Sequence, residues 1–217
     1  MTIWPDQPTR CHCWQVLINQ YCTGLLLLTA SAASADVFVR DDIITDPTYQ
    51  HFSVCYEHSC QQVVTRSLSQ YEWRRITAPL SVPLPTAGDE RTAIAATVSN
   101  METAVGLHTG TDRDKGGNLA GFSLPGQMDC IDESTNTTTY LSMLADNGLL
   151  EHHTVLDRVT RFGLFVGMPH TTAVIRETGT GRHFAVDAWF FDNGQPPVIV
   201  DLREWKSGWE PGEAMHE

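Results

Sequence analysis

One cysteine stands where a helix is expected to begin. The segment Gly126–Ser134 reads Gly-Gln-Met-Asp-Cys-Ile-Asp-Glu-Ser, so Cys130 directly follows Asp129, a good helix N-cap residue. A helix start presents unpaired backbone N–H groups and the positive end of the helix dipole, and both favour a thiolate over a thiol. Because the thiolate is the nucleophilic form of cysteine, the segment predicts a reactive thiol at Cys130.

A histidine and an aspartate follow Cys130 in an order that suits covalent acyl transfer. His170 opens one predicted strand and Asp187 lies in the next. A two-residue turn that contains Gly179 makes them either directly opposed or diagonal neighbours, depending on its register. In both registers they share one face of the sheet, where we expect the helix of Cys130 to pack. The pattern predicts a nucleophile, a base and an orienting acid.

Two other cysteines are close enough in sequence to pair with each other. Cys55 and Cys60 enclose a loop short enough to close as a hairpin, which in an exported protein predicts a disulfide. A Cys/His metal site that includes His58 is the alternative, although a fourth ligand is not evident. With this pair bonded, Cys130 is either a reactive thiol or a small buried hydrophobic residue.

The first 35 residues have the pattern of an export signal. An apolar run from Gly24 to Ala30 precedes Ala33-Ser34-Ala35, which fits the small-x-small cleavage rule. The apolar run is short for a bilayer span. We predict cleavage after Ala35 and a periplasmic or secreted protein with no integral membrane span; an uncleaved anchor is the alternative.

Composition limits the partners and the domain count. The chain has 217 residues, a formal net charge of −12 and 18% charged residues. Nucleic acids and anionic membranes need clustered Lys and Arg, so the balance argues against both. The length predicts a single domain over residues 36–217, with residues 36–78 as a strand and helix appendage. We expect a monomer.

Helical signals occupy the middle of the chain, and strand signals occupy its last third. A hairpin over 51–66 comes first, and helices follow from the capping box Ser69–Glu72, over 89–106 and over 129–147. Strands are predicted at Val155–Thr160, Thr171–Arg176, Arg182–Phe191 and Pro197–Asp201. This order predicts an α+β domain with helices packed on an antiparallel sheet.

The interior of the third helix has an unusual composition. Residues 134–140 are mainly Ser, Thr and Asn, which have poor helix propensity. We therefore expect tertiary packing against the sheet to hold this helix. The sequon that begins at Asn136 would then be buried, and we do not expect it to be glycosylated.

The segment Asp129-Cys130-Ile131-Asp132 carries a family resemblance. Followed by His170 and then by Asp187, it resembles the bacterial transglutaminase-like cysteine proteinases over roughly residues 70–200. The resemblance is one of pattern and order. It implies an exported enzyme with a papain-like/transglutaminase-like core that acts on a protein or peptide substrate. Cys130 would be the nucleophile, His170 the general base and Asp187 the orienting acid.

The same resemblance raises the question of calcium. Members of that family can bind calcium through acidic residues that flank the cysteine, and Asp129 and Asp132 match them, whereas Ile131 replaces the middle acid. These two residues are thus a candidate calcium site, and their other interpretation is as helix caps. No other cofactor is implied.

Gln127 is a candidate oxyanion donor together with the backbone N–H of Cys130. Its alternative interpretation is as an ordinary loop glutamine. Together these features predict an exported cysteine hydrolase of amide or peptide bonds. Acyl transfer to an amine, or a non-catalytic binding or structural module on the same fold, are the alternatives.

Overall fold

The computed structural model describes residues 40–118, 124–162 and 169–212. All of them belong to one unit, Ala32–Glu217. The predicted export signal and its cleavage site lie outside the described residues. No helix within the described ranges combines the length and the apolarity that crossing a bilayer requires.

A β-hairpin and a short helix come first. Strands β1 (Phe52–Tyr56) and β2 (Gln62–Arg66) pair antiparallel, as predicted. Helix α1 (Gln70–Ile76) begins at the predicted capping box. The backbone N–H of Glu72 donates to the Ser69 hydroxyl at 3.2 Å, and the Ser69 N–H donates to the Glu72 carboxylate at 2.8 Å. Each group satisfies a donor that a helix start leaves unpaired.

Helix α2 (Ala87–Thr109) extends beyond both ends of the predicted range. The predicted N-cap, Asp89, is the third residue of a capping box whose N-cap is Thr86. The predicted terminator, Gly106, lies inside the helix, which ends at Gly110 with φ of 80°. The prediction of both ends was wrong because each signal lies less than one and a half turns inside the true end. Short 3-10 segments flank the helix, at Ala78–Leu80 and Thr111–Arg113.

Helix α3 (Cys130–Asp146) begins after Asp129, as predicted, and its interior is buried. Three threonine hydroxyls donate to backbone carbonyls four residues earlier: Thr135 to Ile131, Thr138 to Ser134 and Thr139 to Thr135. This back-bonding lets hydroxyl side chains occupy a buried helix. Asn136 donates to the Cys55 carbonyl and accepts from the Cys55 N–H, both at 2.8 Å. The sequon is therefore buried, and its amide anchors β1.

Four antiparallel strands form the main sheet in the order β3-β4-β5-β6. They are β3 (His153–Phe162), β4 (Pro169–Glu177), β5 (His183–Asp187) and β6 (Val198–Asp201). Helix α4 (Leu202–Lys206) follows. All four predicted strands are present, but β5 ends at Asp187, four residues before the predicted end. The chain turns there, and the Phe191 N–H donates to the Ala188 carbonyl at 3.2 Å.

Helices cover both faces of this sheet. Side chains of α2 and α3 share a core with Ala173, Ile175 and Val186. Val174 and Ala185, which point to the opposite face, pack against Leu202 and Trp205 of α4. The described residues therefore form a mixed α+β fold built on an antiparallel sheet, and this sheet positions the predicted site.

Candidate active site

His170 and Asp187 form a buried hydrogen-bonded pair. His170 Nε2 lies 2.7 Å from Asp187 Oδ2. Strands β4 and β5 pair Ala173 with Val186, so His170 and Asp187 are diagonal neighbours on one face, which is one of the two predicted registers. Because the carboxylate only accepts, Nε2 carries the proton of this bond. His170 Nδ1 is then the ring atom available to act as a base.

Aromatic side chains enclose the imidazole. The rings of Trp189, Phe190 and Trp205 lie at centroid distances of 4.8, 5.4 and 5.5 Å from His170. The Trp205 indole N–H donates to Asp187 Oδ2 at 2.7 Å. This carboxylate oxygen therefore has two donors in a site from which water is largely excluded, and each bond is strengthened by the low dielectric.

Trp205 is itself held from its other side. The Arg161 guanidinium stacks on the indole ring at 4.5 Å and donates to the backbone carbonyls of Trp205 and Trp209. Arg161 is the cross-strand partner of His170. Sequence reasoning missed Trp205 as a functional residue. Its only local signal is a tryptophan in a short polar segment, whereas its partners lie 18 and 44 residues earlier in the chain.

Cys130 lies at the start of α3, half-buried against the first residues of β4. Its thiol points to the carbonyl of Pro169, with Sγ 3.9 Å from the oxygen. Pro169 directly precedes His170, so the thiol lies beside the backbone of the predicted base. Alternation along β4 puts the imidazole on the face that packs against α4, whereas α3 packs on the other face. The prediction that α3 packs on the face of the His170–Asp187 pair was therefore wrong.

The surroundings of Cys130 favour the neutral thiol. Burial raises its pKa to about 11, and the charges of Asp129 and Asp187 act in the same direction. A backbone hydrogen bond from Thr171 acts the opposite way but is outweighed. Burial and the two carboxylates thus oppose the effect of the helix start, and the reactive thiol at Cys130 stays a prediction.

Gln127 is buried, and its side chain binds the loop over residues 113–118. Its Nε2 donates to the Arg113 carbonyl at 2.8 Å. Its Oε1 accepts from Asn118 Nδ2 at 2.6 Å and from the Lys115 N–H at 3.3 Å. The amide thus fixes the loop that lies before Cys130, and its role as an oxyanion donor stays a prediction.

Asp129 and Asp132 form a reciprocal capping box. Asp129 Oδ1 accepts from the backbone N–H groups of Ile131 and Asp132, both at 3.0 Å. Asp132 Oδ2 accepts from the Asp129 N–H at 3.1 Å. Burial, followed by the charge of Asp129, raises the pKa of Asp132 to about 7. The predicted pair therefore caps α3, and further donors come from the β1–β2 turn.

Cys55 and Cys60 are joined by the predicted disulfide, with their Cα atoms 4.6 Å apart. Their sulfur atoms and an oxygen of Asp132 lie within 4.8 Å of one another. Because the two sulfur atoms are bonded to each other, they are not available as thiolate ligands.

Three further buried carboxyl groups lie behind the site. They belong to Glu102 on α2, Asp114 in the following loop and Glu133 on α3. Burial raises the pKa of Glu102 to about 8 and that of Asp114 to about 7, and the pKa of Glu133 is raised well above its ordinary value. Asp114 Oδ1 accepts from the Met128 N–H at 2.7 Å, so this group helps to hold the segment that leads to Cys130.

Comparisons with models of known protein families, with curated proteins and with solved structures find no match to this chain. The function is therefore inferred from the chemistry of the site itself.

Proposed function

We propose that this protein is an exported cysteine hydrolase of amide or peptide bonds. Its core would be papain-like/transglutaminase-like, with the nucleophile at a helix start and the base and acid on an antiparallel sheet. The supporting observation is the buried His170–Asp187 pair beside the backbone that Cys130 contacts. Its site of action would be the periplasm or the extracellular medium, and its substrate a protein or peptide.

The reaction begins with a proton transfer from the thiol to the imidazole. Because the imidazole lies on the other face of the sheet, this step requires the Cys130 side chain to leave the Pro169 carbonyl and reach around the end of β4. The thiol then gives its proton to His170 Nδ1. Asp187 then faces an imidazolium through the existing Nε2 bond, and this charge pair offsets the cost of forming a thiolate in a buried site. The raised pKa of Cys130 makes this coupling necessary, because the isolated thiol would stay neutral.

Acyl transfer follows from the same arrangement. The sulfur attacks the amide carbonyl, a C–S bond forms, and the leaving amine takes the proton from His170. The backbone N–H of Cys130, with the Gln127 amide as a second donor, would stabilise the oxyanion. Water then hydrolyses the thioester; if an amine attacks instead, the product is a new amide and the enzyme is an acyltransferase.

The rate of Cys130 alkylation by iodoacetamide at pH 7.5 tests the proposal. With a pKa near 11 and no base, Cys130 would react more slowly than a model thiol with a pKa of about 8.5. We expect it to react faster than the model thiol, and we expect His170→Ala to slow it at least about tenfold. His183→Ala, which removes an exposed histidine from the same sheet, serves as the matched control and should have no effect.

One observation favours a second function, a non-catalytic binding or structural module. It is the neutral, half-buried Cys130 thiol directed to a backbone carbonyl. Alkylation that is slower than that of the model thiol and insensitive to His170→Ala would support this module and would rule out the hydrolase.

A further inference from the structure

The turn between β1 and β2 has a rare backbone conformation. Its four residues Glu57, His58, Ser59 and Cys60 have φ values of 61°, 61°, 53° and 55°, and none of them is glycine. Consecutive left-handed residues with side chains are unfavourable, so they persist only where other contacts hold them. The disulfide between Cys55 and Cys60 closes the turn.

Successive N–H groups of this turn point to the start of α3. His58 N–H donates to Asp132 Oδ2 at 2.7 Å, and Cys60 N–H donates to Asp132 Oδ1 at 2.6 Å. Between them, the Ser59 N–H and hydroxyl donate to Asp129 Oδ2 at 2.9 and 3.0 Å. Consecutive N–H groups that converge in this way form an anion-binding nest.

The two carboxylates need such a partner. They lie three residues apart, and Asp132 is fully buried. Two adjacent carboxylates repel each other, and a buried charge is costly unless it is hydrogen-bonded or paired. We propose that the disulfide-closed turn Glu57–Cys60 is the counter-charge of Asp129 and Asp132, in the place that a cation would otherwise take. The disulfide then sets the start of the helix that carries Cys130.

The donors around the pair fit this role better than they fit a calcium site. Calcium takes six to eight oxygen ligands. Here each of the four carboxylate oxygens already accepts at least one N–H, and the neighbouring groups that point at them are donors. A cation would have to displace these donors, and the turn would lose the contacts that offset its unfavourable backbone.

A thermodynamic cycle tests the proposal. The melting temperature is measured for the full chain and for Cys55→Ser/Cys60→Ser, each with and without Asp132→Asn. We expect Asp132→Asn to lower the melting temperature of the disulfide form by about 5 °C or more, and to have a much smaller effect without the disulfide. Asp146→Asn, at the exposed far end of α3, is the matched control and should have the same effect in both backgrounds. Additive effects of Asp132→Asn would overturn the proposal.

A second measurement requires no cysteine variant and decides the case if the double variant fails to fold. In the disulfide form, the backbone amides of His58, Ser59 and Cys60 should exchange hydrogen slowly, and Asp132→Asn should speed their exchange at least about tenfold. Amide exchange at the same rate in the unmodified chain and in Asp132→Asn would contradict the proposal.

A third measurement tests whether calcium changes the melting temperature. Chelator, followed by roughly 5 mM calcium, should leave the melting temperature of the disulfide form unchanged, since weak extracellular sites bind below that concentration. A rise that Asp132→Asn abolishes would overturn the proposal. None of these readouts uses the chemistry of Cys130, so the proposal and the hydrolase activity can fail separately.

Discussion

At the scale of single residues, the hydrogen bonds of Asp187 determine how the His170 imidazole is oriented. The carboxylate is buried and accepts from His170 Nε2, from the Trp205 indole and, at 3.3 Å, from the Trp189 N–H. A carboxylate with one fewer donor is free to rotate, and the imidazole that it orients would lose its direction. In the proposed mechanism, Trp205 would thus be a positioning residue that acts through Asp187.

Trp205→Phe tests this role, because phenylalanine keeps the aromatic packing but lacks the N–H donor. We expect Cys130 alkylation to slow by about tenfold or more, since a hydrogen bond to a charged group contributes about 1.5–3 kcal/mol. Asp187→Asn should slow it too, and the two changes should be non-additive when combined.

Trp209→Phe is the control for that substitution. Trp209 offers its backbone carbonyl to Arg161, which the substitution keeps, and its ring contacts Phe190. Cys130 in the Trp209→Phe variant should be alkylated at the same rate as in the unmodified chain. Equal slowing by both substitutions would mean that aromatic packing, and not the bond to Asp187, is responsible.

At the scale of elements, the conformation of the β1–β2 turn has a direct signature. At a left-handed position glycine avoids the steric cost of a side chain, whereas alanine bears it. Ser59→Gly and Ser59→Ala both remove the hydroxyl bond to Asp129, so they differ only in backbone preference. We expect the glycine variant to be more stable by about 1 kcal/mol, or about 2–4 °C in melting temperature.

Ser81 provides the matched pair. It has φ of −91° and, like Ser59, an exposed side chain with one hydroxyl bond to a neighbour. For Ser81→Gly and Ser81→Ala, the glycine variant should be no more stable than the alanine variant, because alanine restricts the unfolded chain more than glycine does. The same order at both positions would show that Ser59 is not held in the left-handed conformation.

The turn also shows which elements the sequence could predict. The starts of α1 and α3 were predicted correctly because capping residues such as Ser69 and Asp129 are local signals. The two strands of the hairpin were found through alternation. The left-handed turn between them carries no glycine, so nothing local marks it. Its N–H groups are accepted by Asp129 and Asp132, which lie 70 and 72 positions after their donors Ser59 and Cys60.

The candidate site divides in the same way. The register that brings His170 and Asp187 together follows from the hairpin turn near Gly179, which the sequence shows. The sheet face on which α3 packs is the face to which Ala173 and Ile175 point. Which alternate residues of β4 face the core depends on the whole fold, so no local sequence pattern predicts it. The indole bond to Asp187 depends on where α4 returns, so it could not be predicted either.

At the scale of the whole molecule, four buried acids make stability depend on pH in an unusual direction. The pKa values of Glu102, Asp114 and Asp132 are raised to about 8, 7 and 7, and that of Glu133 is raised well above its ordinary value, all chiefly by burial. Such groups bind protons more tightly in the folded chain. Their contribution to the free energy of unfolding is therefore fully present below about pH 4, and it is lost as the pH rises to about 8.

Other carboxyl groups have lowered pKa values, and they set the lower limit of the pH range in which the protein is most stable. Hydrogen bonds lower the pKa of Glu72 and Glu177, and hydrogen bonds and Arg203 lower that of Asp201. Their contribution is lost as pH falls through the range below about 4. We therefore expect maximum stability near pH 4–5 and a fall of at least about 2 kcal/mol, or about 4–8 °C in melting temperature, between pH 5 and pH 8.

Glu133→Gln isolates the source of that fall. Glutamine has the shape of the protonated glutamate and can still donate to Asp114, but it cannot ionise, so the cost of charging this fully buried position disappears. The variant should melt at the same temperature as the unmodified chain at pH 5 and several degrees higher at pH 8. Glu151→Gln, at an exposed position, should leave the pH dependence unchanged. A parallel fall in all three proteins would place the titration outside the buried cluster, and a higher melting temperature at pH 8 than at pH 5 would contradict the proton linkage itself.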